Sequence, residues 1–132
     1  MIKRISVRTQ RQVEMIDITP RVNEMLRELK ADDGICVVFV THTTAGITIN
    51  ENADPAVPMD ILMGLDRIAP ERGGYRHSEG NSPAHIKTSI VGPSLTVVVE
   101  NGRLVLGTWQ SVFLCEFDGP RTRTAIVKYI KG

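Results

Sequence analysis

Apolar residues along the chain alternate between a two-residue and a 3.6-residue rhythm, and the changes of rhythm mark the elements. Ile5, Val7 and Thr9 share one side of a strand over 2–9, and Val13 and Met15 alternate with polar neighbours in a second strand over 12–18. Thr19-Pro20 then supplies a capping hydroxyl and a first-turn proline. Val22, Met25, Leu26 and Leu29 recur on one face of the helix that follows, and Asp33-Gly34 stops it. Residues 35–40 are uninterrupted β-branched and apolar residues, which predicts a strand buried on both faces. Residues 44–50 alternate again, and Gly46 in their middle predicts a bulge or the close approach of a neighbour. Asp54-Pro55 caps a second helix carrying Ile61, Leu62, Leu65 and Ile68, with Pro58 placing its regular part from there onward. A long polar, glycine-rich loop covers 69–81, and Ser82-Pro83 opens a short third helix that ends before Gly92-Pro93. Strands over 95–99 and 103–117 are joined by Asn101-Gly102, a strong two-residue hairpin signal. After the Asp118-Gly119-Pro120 turn, a last strand runs over 122–130. The predicted order is ββ-α-ββ-α-α-βββ. It is an α+β fold with mixed or antiparallel sheets and three helices, in one domain over 1–132.

Composition narrows the function classes. The 132 residues are 42% hydrophobic and 23% charged, which suits one globular domain and excludes global disorder. Only six aromatics are present (Phe39, Tyr75, Trp109, Phe113, Phe117 and Tyr129), so the core is aliphatic. A net charge of +1 leaves no excess to drive nucleic-acid binding. No apolar run approaches the roughly 20 residues of a membrane span, and Met1-Ile2-Lys3-Arg4 lacks a signal-peptide core. Cys36 and Cys115 each lie in an apolar stretch and read as buried free thiols, hence a reducing, cytoplasmic setting.

Four clusters carry candidate chemistry. His42 follows a buried strand, His77 lies in the long loop, and His85 lies in the first turn of the third helix. Three imidazoles from separate elements suit a catalytic zinc site with an open position. Their spacing, 35 and then 8 residues, is no known zinc signature, and three unconnected surface histidines would give the same pattern. The second cluster combines Thr41, Thr43 and Thr44 with Asn50, Glu51, Asn52 and Asp54. It offers partners for imidazoles and a general base in Glu51, or simply turn chemistry and a helix cap. The third is the loop holding Glu79 and Asn81, which matches no Walker or Rossmann pattern but has backbone amides for phosphate. In the fourth, Trp109, between Gly107 and Gln110, is expected as a mid-strand pocket wall. Arg121 and Arg123, two apart on one strand, are expected to point the same way as a fork for an anion, or to line a solvated face.

The segments THTTAGITINENADP (41–55), YRHSEGNSPAHIKTSIVGPSL (75–95) and GRLVLGTWQSVFLCEFDGPRTR (102–123) resemble the YjbQ family of small bacterial and archaeal proteins, and the likeness extends over nearly the whole chain. The resemblance implies an α+β fold with a mixed sheet, a homotrimer, and a polar site near a subunit interface. It implies a secondary thiamine-phosphate synthase activity, in which hydroxymethylpyrimidine diphosphate joins a thiazole phosphate and diphosphate is released. By motif position His42, His77 and His85 become metal ligands, and Glu51 or Glu79 handles a proton. Thr43, Thr44, Asn50, Asn81 and Gln110 become substrate contacts. Arg121 or Arg123 would neutralise phosphate, and Trp109 would stack on a flat heterocycle. Three imidazoles suit zinc better than magnesium, so a zinc-dependent hydrolase is a competing expectation. A non-catalytic trimer binding a small phosphorylated metabolite is a third.

A trimer has a rationale of its own. Three short helices cover both faces of a sheet built on apolar strands poorly, and subunit contact would bury the remainder. A second sheet layer within the same chain would serve as well.

Overall fold

A computed structural model describes residues 2–132. The elements in chain order are β1 (Ile2–Arg8), β2 (Glu14–Asp17), α1 (Thr19–Glu28), β3 (Gly34–Val40), β4 (Ala45–Glu51) and α2 (Ala56–Ile68). They continue with α3 (Ser82–Val91), β5 (Ser94–Glu100), β6 (Arg103–Leu104), β7 (Gln110–Glu116) and β8 (Thr122–Lys131). The strands form a five-stranded sheet in the order β1-β8-β3-β5-β6 and a three-stranded sheet in the order β2-β7-β4. Every pairing is antiparallel.

The two sheets face one another across the main core. Cys36, Val38, Val40, Val97, Val99 and Val127 of the large sheet meet Ala45, Ile47, Val112 and Leu114 of the small one, and Val22 and Leu26 of α1 join them. On its other face the small sheet packs Phe113 and Cys115 against Leu65 of α2 and Ala84 of α3. The layers therefore run large sheet, small sheet, helices.

This layering corrects the reading of β3. The strand is buried on one face only: Cys36 and Val38 are fully enclosed, while Ile35 is 38% and Phe39 42% exposed. α2 and α3 cover the small sheet, so the outer face of the large sheet is left open. A second sheet layer within the chain is thus present, but it covers one face.

The segment expected as one strand over 103–117 is two. β6 pairs with β5, and β7 pairs with β2 and β4 in the other sheet. Asn101 and Gly102 both have positive φ, 52° and 77°, as a tight hairpin requires. The chain then leaves the large sheet, and Gly107 to Gln110 closes a turn in which the Gly107 amide donates to Gln110 Oε1 at 2.7 Å. Trp109 sits in this turn, 63% exposed, and is not a mid-strand pocket wall.

Helix starts also differ in detail. Thr19 lies inside the first turn of α1, and its hydroxyl accepts the Val112 amide at 2.7 Å, tying α1 to β7. Pro55, not Asp54, is the N-cap of α2, and Asp54 just before it accepts the Ala56 amide at 2.9 Å. α2 begins at Ala56, ahead of Pro58, whose missing N–H costs nothing in a first turn. Gly46 marks a close approach: a Cβ there would lie 2.8 Å from the Gly92 carbonyl oxygen, which accepts the Ile47 amide at 3.0 Å.

Candidate functional site

At one end of the sandwich β3 leaves the large sheet, β4 and β7 begin and end the small one, and β8 begins. The long loop and the first turn of α3 close over the same end. They enclose a cavity of about 450 Å3. Its walls bring together His42, His77, His85, Glu79, Asn81 and Arg121, with Thr41, Thr43, Thr44 and Arg123 at its base. The three histidines are therefore neighbours of one cavity and not unconnected surface groups.

His42 is held in place by backbone. Its Nε2 accepts the Thr124 amide at 2.9 Å, so the neutral ring carries its proton on Nδ1. Burial, and then the positive charges of Arg123 and Arg121, push its pKa below the ordinary imidazole value of 6.5, outweighing the opposite pull of Glu116. His42 is consequently a neutral donor at neutral pH. The rings of His77 and His85 meet edge to face, with centroids 5.4 Å apart and an interplanar angle of 83°.

The arginine fork is not present. Arg121 precedes β8, so the strand alternation does not fix its direction. It folds back on Asp118, with Nε donating to the backbone carbonyl at 2.7 Å and one terminal nitrogen to Oδ2 at 2.9 Å. Its side chain stays half exposed at the cavity. Arg123 points inward between the sheets and forms a buried, two-pronged pair with Glu116, Nε donating to Oε1 at 2.8 Å and the second nitrogen to Oε2 at 2.5 Å. That nitrogen also donates to Thr44 Oγ1 at 2.8 Å. Thr44 is buried at the cavity, and its hydroxyl is engaged by Arg123.

Glu116 is the centre of this support and escaped the sequence reading. Burial alone would raise its pKa. The hydrogen bonds from Arg123, the Asp118 amide at 3.0 Å and the Thr9 hydroxyl at 2.7 Å, with the Arg123 charge, hold it below the ordinary carboxylate value. The available signal was parity: Val112, Leu114 and Glu116 share the inward face of β7, and a carboxylate there demands a buried partner. Asp118 was also missed. Its Oδ2 accepts both Arg121 and, at 2.9 Å, the Asn81 amide, which also donates to Glu79 Oε2 at 2.8 Å. Among the described residues the buried Asn81 Oδ1 has no hydrogen-bond partner.

The remaining predicted site residues lie elsewhere. Glu51 pairs with Gln110, and Asn50 with Ser111, at the far end of β4. Thr44, beside the cavity, precedes the first residue of β4, so the two ends are separated by about 20 Å of strand. There Asn52 donates through Nδ2 to Asp17 Oδ2 at 2.6 Å and through its amide to the Trp109 carbonyl at 3.3 Å. Within one chain Asn50, Glu51, Trp109 and Gln110 do not meet the histidines.

The three-imidazole metal set has a specific difficulty. With Nε2 accepting a backbone N–H, His42 presents an N–H and not a lone pair. Among the described residues no three His, Cys, Asp or Glu side chains are grouped to hold a metal ion. As arranged, the residues do not fit a three-histidine zinc centre. Cys36 and Cys115 add nothing to it: both are free and buried, and burial pushes their thiols up to about 11 and about 12.

The fold and site define a two-sheet α+β protein with a histidine- and arginine-lined polar cavity at one end. The chain belongs to the YjbQ-like UPF0047 family, whose model matches residues 3–132. It is 53% identical to the UPF0047 protein YugU of Bacillus subtilis over 129 residues, 97% of this chain and 98% of that one. It is 49% identical to the UPF0047 protein MJ1081 of Methanocaldococcus jannaschii, covering 98% and 94% of the two chains. A solved YjbQ/UPF0047 family structure from Clostridium acetobutylicum superposes with a TM-score of 0.94 at 52% identity, over 97% of this chain and 99% of that one. A hypothetical protein from Aeropyrum pernix superposes with a TM-score of 0.94 at 35% identity, over 100% and 99%. No helix of the described residues is long and apolar enough to cross a membrane.

Proposed function

We propose that the cavity binds a small phosphorylated metabolite, and that the chain acts on it as a transferase of the thiamine-phosphate synthase type. One observation carries this reading. Donors from four separated segments, His42, His77, His85 and Arg121, surround a single polar cavity. The first turn of α3 lies against it and adds the positive end of a helix dipole. Such a set stabilises negative charge building on a departing diphosphate. Glu79, at the cavity wall, is the carboxylate placed to handle a proton, whereas Glu51 is not in reach from the same chain. The test is a turnover assay with hydroxymethylpyrimidine diphosphate and thiazole phosphate, read by mass spectrometry. Thiamine phosphate and diphosphate formed in equal amounts, and lost in His85→Ala, are the expected result. Phosphate binding without turnover would reduce the proposal to a non-catalytic binding protein.

A zinc-dependent hydrolase, the competing expectation, is disfavoured by this arrangement of the imidazoles. It requires His42 to leave the Thr124 amide and turn. Elemental analysis separates the two: about one zinc per chain, lost when the histidines are replaced, supports the hydrolase.

We further propose that the chain assembles as a homotrimer through the open face of the large sheet. Ile35 faces Ile130 on β8 and Val98 on β5, and all three are exposed, as is Phe39. An apolar stripe of this kind marks an association surface. A sedimentation experiment at micromolar concentration is expected to give a trimer, and a monomer would remove this part of the proposal.

A further inference from the structure

A second polar cavity, of about 480 Å3, opens where α1 and β6 meet the start of β7. Ser111 in its wall and Glu116, which holds Arg123 below the histidines, stand near opposite ends of β7, roughly 17 Å apart. The side chains lining it are polar or charged apart from Pro20. Two are arginines, Arg27 of α1 and Arg103 of β6, and two are carboxylates, Asp17 of β2 and Glu24 of α1. Glu24 and Arg27 have the i,i+3 spacing of a helical ion pair, yet among the described residues none of the four forms an ion pair. Opposite charges therefore surround a shared space instead of closing on each other. Two of the polar groups are fixed in advance. Asp17 accepts the Thr19 amide through Oδ1 at 2.9 Å and the Asn52 side-chain amide through Oδ2 at 2.6 Å, which leaves a lone pair on each oxygen. Asn23 is only 9% exposed, and its Oδ1 accepts the Leu104 amide at 3.0 Å. Its Nδ2 amino group has no protein partner among the described residues and is the donor it offers to the cavity.

We propose that this cavity is a second ligand site, separate from the histidine cavity, for an α-amino acid with a polar side chain. A wall with two charges of each sign suits a small ligand that carries both signs itself. The ligand carboxylate goes to Arg27 and Arg103, whose guanidinium groups make charge-assisted, two-pronged hydrogen bonds. The ammonium goes to Asp17 and Glu24. The Asn23 amino group and the Ser111 hydroxyl remain for a polar side chain. A phosphate would face two carboxylates, and a polyamine two guanidinium groups, so neither class is matched to the wall. An apolar side chain would find Pro20 as the one apolar residue there. The site also gives Asn52 a duty that the histidine cavity does not: it orients Asp17 and ties it to the Trp109 turn, whose carbonyl accepts the Asn52 amide at 3.3 Å.

L-glutamine is the probe, beside two analogues that each lack one charge: glutaramate without the ammonium and γ-aminobutyramide without the carboxylate. Binding is followed by nuclear magnetic resonance of the Asn23 and Asn52 side-chain amides and of the imidazoles. Saturable shifts at both asparagines, with His42, His77 and His85 unmoved, are expected for L-glutamine. Each analogue is expected to bind on the order of tenfold more weakly, the scale of one lost charge-assisted contact. Arg103→Gln and Glu24→Gln are each expected to weaken L-glutamine binding by about the same factor. Their thermal melts should match wild type, because both side chains are exposed and outside any ion pair among the described residues. No saturable shift with L-glutamine, an analogue that binds as tightly as L-glutamine, or variants that bind it like wild type would overturn the amino-acid site. The phosphate reading of the histidine cavity stands or falls separately.

Discussion

Glu116→Ala is expected to cost the fold about 3–5 kcal/mol, the usual consequence of removing one partner from a buried ion pair. The carboxylate is fully enclosed and accepts from Arg123, Thr9 and the Asp118 amide. Without it, the Arg123 guanidinium stays between the sheets with its charge unmatched. Arg123→Met is expected to be similarly severe for the converse reason. Replacing both with apolar residues should cost less than either single change, because no uncompensated charge then remains. Urea denaturation measures this, through the midpoint and an unchanged slope. A loss below about 1 kcal/mol for Glu116→Ala, the scale of an exposed pair, would contradict the structural role assigned to it. The same group sets an acid limit. Its pKa is lowered in the folded state, so its contribution is present above the ordinary value of 4.5 and is lost as pH falls through the lowered folded value. His42 acts in the same sense from higher pH. Its folded pKa is also lowered, so stability is retained above 6.5 and declines as pH falls below it. In Glu116→Gln the decline below pH 4.5 should flatten, while the His42 limb persists.

Arg121→Ala is expected to give the opposite profile: phosphate affinity falls about 10- to 100-fold, the scale of losing a charge-assisted hydrogen bond, while stability changes little. Arg121 is half exposed and paired only with Asp118 at the surface, so the fold loses little with it. It is the cavity's accessible cation, because the Nε and one terminal nitrogen of Arg123 are engaged by Glu116 and Thr44. Calorimetric titration with inorganic phosphate reads the affinity, and a thermal melt reads the stability. Raising the salt concentration should narrow the difference between wild type and variant. Equal phosphate affinity in the two proteins would remove Arg121 from the site. Two arginines separated by a single residue thus sit in different settings, Arg123 buried with Glu116 and Arg121 half exposed at the cavity.

That difference shows where the sequence stopped being readable. The helices announced themselves through Thr19-Pro20, Asp54-Pro55 and Ser82-Pro83, since proline has few tolerated places in a helix and the first turn is one. The break between β6 and β7 was hidden because Val105 and Leu106 continue the apolar run through a segment that changes sheets. Trp109 was misplaced by the same continuity. The histidines, Glu79, Asn81 and Arg121, which the fold brings to one cavity, stood out by residue type and by the family resemblance, because polar, titratable groups in turn-rich segments have few structural duties. Glu116, Asp118 and Thr9 were not found. Their partners come from β8 and from the start of the chain, and only the register between strands brings them together. Alternation along 122–130 was real, but Arg121 stands outside it, and nothing in the local pattern marks where β8 begins.

Nuclear magnetic resonance of the side chains tests the phosphate cavity most directly, because the chain carries three histidines and one tryptophan at opposite ends of the small sheet. Imidazole and indole signals are followed while inorganic phosphate is added at constant pH and ionic strength. Saturable shifts at His42, His77 and His85, with the Trp109 indole unmoved, are the predicted result. Shifts confined to Trp109, or no saturable shift at any imidazole, would contradict a phosphate site in this cavity.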